Sequence, residues 1–267
     1  MHRATVCFLD SGIGGLPYLE AARVYLKGYR LVYLADREFY PFGTKDPEDL
    51  RSHLVERVGR LIDLYDPSCV VLACNTATVV ALEELRRRFS VPFVGVVPAI
   101  KPAVEHTDGR GIVVLATSRT VRERYVADLV ERFASNREVV GVERGSTVDF
   151  VEKRWGKAPD AERFEAAAEA LSSVDLDRTD AVVLGCTHFV FLRPYMERLV
   201  EGRVRIVDSV EGVSRQIGRV CKMPAPALGS EIEGEHPDLL IVTGDDALHG
   251  GYGELAERFS LRLQTGL

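Results

Sequence analysis

Two of the five cysteines close an apolar run and are followed at once by a polar pair: VVLACNT ends in Cys74, Asn75 and Thr76, and VVLGCTH ends in Cys186, Thr187 and His188. Each run reads as a strand and the stretch after it as a helix. Each thiol would then lie among unpaired backbone N–H groups at the positive end of a helix dipole, a place that favours thiolate and binds carboxylates. A buried packing cysteine is the plain alternative for either one alone, and it weakens when the same device occurs twice beside hydroxyl or imidazole donors. Two thiols that reach one carbon from opposite sides can remove a proton from one face and deliver another to the other face, inverting the centre. The substrate of such a pair needs an acidic C–H, and its carboxylates need donors. Asp10, Ser11 and His188 are the nearby groups suited to partner the thiols. Cys7, Cys69 and Cys221 lack such neighbours and read as packing.

Other motifs fall at strand ends of the same kind. DSGIGG, Asp10 to Gly15, follows the first strand and opens a helix, so its glycines allow a tight turn and close approach of backbone to a ligand. It imitates a dinucleotide fingerprint, with Asp36 at the ribose-ligand spacing, but Pro17 occupies the third glycine position. Asp10 and Ser11 could also serve only as helix caps. YPFGTK, Tyr40 to Lys45, is a Pro- and Gly-punctuated loop after the second strand whose backbone amides could hold a carboxylate. Thr117 and Thr120, in ATSRTV, could do the same or merely cap a helix. Cys186 and His188 are two residues apart with Cys74 distant, which is not the paired spacing of structural zinc, so no metal is expected.

The elements that must position these residues alternate between short apolar runs and stretches of helical spacing. Strands are expected at Ala4 to Leu9, Leu31 to Ala35, Cys69 to Ala73, Phe93 to Val97, Gly111 to Leu115, Val139 to Glu143, Ala181 to Gly185, Val204 to Val207 and Leu239 to Val242. Helices are expected at Asp49 to Tyr65, Thr76 to Phe89, Thr120 to Phe133, Ala161 to Ser172, Phe191 to Val200, Val210 to Val220 and Gly253 to Leu263. The segment from Val70 resembles the one from Ala181, with Cys186 lying 112 positions after Cys74, and a fainter echo relates Ser11 to Thr117 at an offset of 106. The pattern is that of a diverged duplication: an α/β protein of two similar parallel-sheet domains, with ligands in a cleft lined by C-terminal strand ends. The expected division is 1–97 with 209–267 for the first domain and 98–208 for the second.

FLDSGIGG, YPFG, ACNTA, VVPA, LATSRTV and LGCTH occur in the order seen in the glutamate racemases of the Asp/Glu racemase superfamily, which the chain resembles over most of its length. The resemblance implies two α/β domains related by a pseudo-twofold with the active site in the cleft between them. It implies cofactor-independent interconversion of L- and D-glutamate by two-thiol proton transfer, supplying D-glutamate for peptidoglycan. The catalytic thiols fall on Cys74 and Cys186, with Asp10 and His188 as their partners and Glu152 as the acidic group near the second thiol. Substrate-binding positions fall on Asp10, Ser11, Phe42, Gly43, Asn75, Thr76, Thr117, Thr187 and His188, and Thr120 joins them from its place beside Thr117. The chain departs from the family at Phe42, where Tyr is usual, at Phe189 and Val190, where an aromatic-Pro pair is usual, and in VERGSTVDFVEKRW, which lacks a Cys-Pro segment before Glu152. The readings left open are racemisation of aspartate or another acidic amino acid and, from a different class, a non-catalytic amino-acid or metal binding protein.

Composition agrees with a small-molecule partner. The 267 residues are 46% hydrophobic and 28% charged, ordinary globular usage, and the net charge of −6 offers no general attraction to nucleic acid or anionic membrane. No apolar stretch approaches a membrane span, and the N-terminal MHRATVCFLD has no secretory pattern. An odd number of scattered cysteines does not make a disulfide framework, so a reducing, cytoplasmic setting is expected. No cofactor is expected, and a homodimer is the assembly left open.

Overall fold

The computed structural model describes residues 3–105, 107, 109–122, 124–221, 237–244 and 251–267. The chain divides into two compact units, Met1–Val96 with Val210–Leu267, and Val97–Ser209. In chain order the first unit opens with β1 (Thr5–Asp10), α1 (Leu16–Ala22), β2 (Arg30–Ala35), α2 (Pro47–Tyr65), β3 (Pro67–Leu72), α3 (Asn75–Arg88) and β4 (Phe93–Gly95). The second unit is α4 (Ile100–Glu105), β5 (Gly111–Ala116), α5 (Ser118–Arg122), α6 (Arg124–Ala134), β6 (Val139–Glu143), α7 (Gly145–Arg154), α8 (Asp160–Leu171), β7 (Thr179–Leu184), α9 (Arg193–Val200) and β8 (Arg205–Val207). The first unit resumes with α10 (Val210–Val220), β9 (Leu239–Val242), α11 (Tyr252–Arg258) and β10 (Arg262–Thr265).

Both sheets are parallel throughout, in the orders β10-β9-β2-β1-β3-β4 and β6-β5-β7-β8. Parallel strands covered on both faces read as continuous apolar runs, which is why these strands were visible in the sequence. In the first unit Cys7, Leu9, Val32, Leu34, Val70 and Leu72 pack against Leu50, Leu54, Val58 and Leu61 of α2 and Ala77, Ala81 and Leu85 of α3. The alternate residues Val6, Phe8, Tyr33 and Val71 are fully buried on the other face. In the second unit Ile112, Val114, Ala181 and Val183 pack against Ile100 and Ala103 of α4 and Ala134 of α6. Among the described residues no helix is long and apolar enough to cross a membrane.

The duplication extends to the register. The order β2-β1-β3-β4 recurs as β6-β5-β7-β8. Thr5 pairs with Pro67 and Val6 with Cys69, skipping Ser68, and Gly111 pairs with Thr179 and Ile112 with Ala181, skipping Asp180. The irregularity thus recurs at the 106 and 112 offsets read from the motifs. A one-residue slip changes which face every following side chain meets, so the same slip in both strands gives their terminal cysteines the same facing.

Two expectations change, and a third is only partly covered by the described residues. Gly253 to Leu263 is not one helix: α11 stops at Arg258, Ser260 takes a left-handed φ of 52°, and Arg262–Thr265 pairs with β9 as an edge strand. Phe191 belongs to a 3-10 turn, Thr187–Leu192, and α9 begins at Arg193 with Pro194 in its first turn. The helix expected over Thr120 to Phe133 crosses residue 123, which lies outside the described residues; its described parts are α5 and α6. α1, α4 and α7 were not assigned from the sequence, although a helix was expected to open at DSGIGG.

Candidate active site

In the first unit β1 ends at Asp10, and Ser11 N–H donates back to Asp10 Oδ1 at 2.7 Å. Tyr33 Oη fastens the following turn from beneath, donating to Gly12 O at 2.8 Å and accepting from Gly15 N–H at 2.9 Å. Gly15 is required there: a Cβ would stand 2.5 Å from Ala73 Cβ and 2.8 Å from Ala73 O. Ala73 N–H donates to Leu9 O at 2.8 Å, so Asp10 and Cys74 each follow directly on paired positions of neighbouring strands.

Cys74 itself is extended (φ −144°, ψ 125°) and caps α3, with only 7% of its surface exposed. Asn75 and Thr76 form the first turn of that helix, both buried. Asn75 is 3% exposed, and neither its Oδ1 nor its Nδ2 has a hydrogen-bond partner among the described residues. Phe42 is buried and Gly43 half-buried in a 3-10 turn, Phe42–Thr44, that packs against α3.

The second unit repeats the device with different partners. Cys186 is extended (φ −135°, ψ 137°), 7% exposed, and caps the Thr187–Leu192 turn. Gly185 N–H donates to Leu115 O at 2.7 Å, matching the Ala73 to Leu9 bond. His188 directs Nδ1 toward Cys186 Sγ at 3.8 Å and Nε2 toward Glu152 Oε2 at 2.9 Å, and both His188 and Glu152 are almost fully buried. With Glu152 ionised, its carboxylate would only accept, placing the proton on Nε2 and turning Nδ1 to the thiol, the usual way an outer carboxylate fixes an imidazole.

Glu152 comes from α7. Arg144 N–H donates to Ala116 O at 3.1 Å, starting the helix at the C-terminal end of β5, and its buried stripe is Thr147, Val148, Val151 and Glu152. At the same strand end Thr117 Oγ1 and Thr120 Oγ1 are 3.1 Å apart, with Thr120 buried. Thr187 is buried beside Cys186.

Of the remaining cysteines, Cys7 lies in β1, Cys69 in β3, and Cys221 directly after α10. Burial pushes the Cys7 thiol far up, against a weaker opposing pull from Arg30. Cys69 is pushed up by a hydrogen bond with Cys221 and by burial. Neither is a thiolate at neutral pH. Among the described residues no three His, Cys, Asp or Glu side chains are grouped as a metal-binding set. Asp36, the residue at the ribose-ligand spacing, is buried against His53 and Thr243.

A family model described as Asp/Glu/Hydantoin racemase matches residues 19–216. The chain belongs to that family. It is 41% identical over 241 residues to the glutamate racemase of Brucella anthropi, spanning 89% of this chain and 86% of the relative. It is 41% identical over 215 residues to that of Brucella canis, spanning 79% and 78%. Among solved structures, Escherichia coli glutamate racemase in complex with L-glutamate and the activator UDP-MurNAc-Ala matches with a TM-score of 0.86 at 28% identity, over 100% of this chain and 98% of that one. The Thermus thermophilus glutamate racemase in complex with β-chloro-D-alanine matches with a TM-score of 0.70 at 29% identity, over 98% and 95%. As a member of the Asp/Glu/hydantoin racemase family the chain is a racemase, an isomerase. The resemblance placed Glu152 in this racemase's second unit without an element to carry it. The spacing of Val148, Val151 and Trp155 was the available signal for α7.

Proposed function

We propose that this chain interconverts L- and D-glutamate, with Cys74 and Cys186 as the two groups that exchange the Cα proton. The observation that carries the reading is the twin placement of the thiols: same backbone conformation, same near-complete burial, same position at the end of the third strand of each unit. The glutamate racemases at 41% identity support the substrate.

In this reading one cysteine, as thiolate, takes the proton from Cα while the other, as thiol, protonates the opposite face, and the roles exchange in the reverse direction. His188 serves Cys186. Its Nδ1 can take the thiol proton, and Glu152 stabilises the imidazolium that results. Asp10, adjoining the strand end of Cys74, serves the other thiol with a carboxylate alone. The substrate's charged groups are held by the Asn75 amide, by Ser11, Thr76 and Thr187, by the Thr117–Thr120 pair and by the backbone of Phe42 and Gly43. The unpartnered Asn75 amide supports this, because a buried polar group with no protein partner is satisfied by a ligand. No pyridoxal, nicotinamide, flavin or metal is needed, since the two thiols supply both proton-transfer steps. We further assign the enzyme to the cytoplasm as a source of D-glutamate for peptidoglycan; the odd number and scattered spacing of the five cysteines support a reducing compartment.

The test is a coupled assay with each enantiomer of glutamate and of aspartate, using desalted, chelator-treated protein. Turnover of both glutamate enantiomers is expected. Turnover of aspartate in preference, or activity restored only by an added cofactor, would contradict the reading.

A further inference from the structure

Asp36, fully buried at the end of β2, has no task in the reaction outlined above, yet it gathers partners from two distant stretches of the chain. Its Oδ1 accepts from Thr243 Oγ1 at 2.8 Å, just after β9, and its Oδ2 is 2.5 Å from His53 Nε2 on α2. Arg57, one turn further along α2, brings Nε to 3.6 Å from Asp36 Oδ1 and pairs through Nη2 with Glu38. Thr243 Oγ1 also accepts from Glu38 N–H at 3.1 Å. Gly244, at φ 78°, lies so close that a Cβ would meet Glu38 Cα and N at 3.3 Å. A buried carboxylate persists only when paired and hydrogen-bonded, and here the pairing fixes the start of the loop that joins β2 to α2.

His53 carries that fixation onward. With Nε2 held by Asp36, its ring stacks on Phe39 at 4.2 Å between centroids and 14° between planes, and meets Phe42 edge-on at 6.4 Å and 69°. Both aromatics belong to the loop, whose Phe42–Thr44 turn packs against α3, the helix that Cys74 caps. One side chain on α2 thus touches the buried anchor at its edge and the loop at its face.

We propose that His53, oriented by Asp36, is a positioning residue that holds the loop at Phe42 and Gly43 in the shape that binds a substrate carboxylate. The proposal rests on the substrate-binding assignment of Phe42 and Gly43. A loop that contacts substrate equally in ground and transition states contributes uniform binding, so loosening it raises KM and leaves kcat nearly unchanged.

The experiment is steady-state kinetics in both directions for wild type, His53→Ala, His53→Gln and Phe39→Leu, with thermal unfolding of each. His53→Ala is expected to raise KM for both enantiomers about tenfold with kcat within about twofold of wild type. His53→Gln, which keeps a donor for Asp36, should recover part of the affinity. Phe39→Leu removes the stacking partner from a half-buried position and reads the same quantity should His53→Ala fail to fold. An active wild type whose variants keep KM, or lose kcat with KM unchanged, overturns this proposal alone. A wild type without racemase activity overturns the reading of the site and this inference with it.

Discussion

Asn75 is where function and stability separate most cleanly at the scale of one residue. Its amide is buried with no partner among the described residues, and leaving such a group unsatisfied costs about 1–3 kcal/mol. Asn75→Leu should therefore keep or raise the melting temperature while KM rises by about tenfold or more, since the proposed substrate hydrogen bond, about 1.5 kcal/mol, is lost. A fall in melting temperature with unchanged KM would mark Asn75 as structural. In the second unit, His188→Asn and Glu152→Gln should lower kcat by about 10²–10⁴-fold, the range of a general acid–base group. Because the two enantiomers are equally stable, kcat/KM must stay equal in both directions for every variant. The unequal roles proposed for Asp10 and His188 should therefore appear in the separate kcat values and in the substrate deuterium isotope effects. Equal isotope effects in both directions for His188→Asn would contradict a role confined to one thiol. The thiols and their polar followers were legible in the sequence because chemistry and duplication fell on the same positions. The contact between His188 and Glu152 was not, because the first half has no counterpart of Glu152 to offset from.

The elements explain what local reading could reach. Strands buried on both faces announce themselves as apolar runs, whereas β10 contributes only Leu263 as an apolar residue and lies at a sheet edge, so RLQT was absorbed into a helix. α7 went unassigned because Arg144, Gly145, Ser146 and Thr147 read as a turn, although Val148 and Val151 bury its face. His53, alone on the 19-residue α2, gave no signal of the loop it contacts. The turn beneath Cys74 is testable: Gly15→Ala would drive a Cβ into the Ala73 backbone, and overpacking of that kind costs about 1–3 kcal/mol. Its melting temperature should drop by several degrees and its kcat should fall as well, because Ala73 immediately precedes the thiol; an unchanged melting temperature would refute the close approach. At the opposite end of the second sheet Asp180 accepts from the Gly109 and Arg110 backbone N–H groups at 2.9 and 2.7 Å and from Arg110 Nε at 2.7 Å. Burial opposes the charge, but these bonds prevail and hold the carboxyl below its ordinary range. The stability it contributes is full above the unfolded-state value of about 3.9 and is lost as pH falls through the lower folded-state value. Asp180→Asn should therefore melt below wild type at pH 7, with the gap closing below about pH 4; a gap independent of pH would contradict the ionised state.

For the whole molecule the decisive feature is repetition with divergence. One strand order, one register irregularity and one strand-end cysteine occur twice, while their neighbours differ: Asp10 and an amide with no partner among the described residues in the first unit, His188 and Glu152 in the second. The duplication was readable from offsets of 106 and 112 alone, and the register irregularities fall at the same offsets. In the proposed mechanism each unit supplies one of the two thiols that exchange the Cα proton. Racemisation of L-glutamate in deuterium oxide, sampled at low conversion, tests it most directly. Cα deuterium is expected in the newly formed D-glutamate and almost none in the remaining L-glutamate, with Cys74→Ala and Cys186→Ala each abolishing racemisation. Equal early label in both enantiomers, or near-normal racemisation by either cysteine variant, would contradict it.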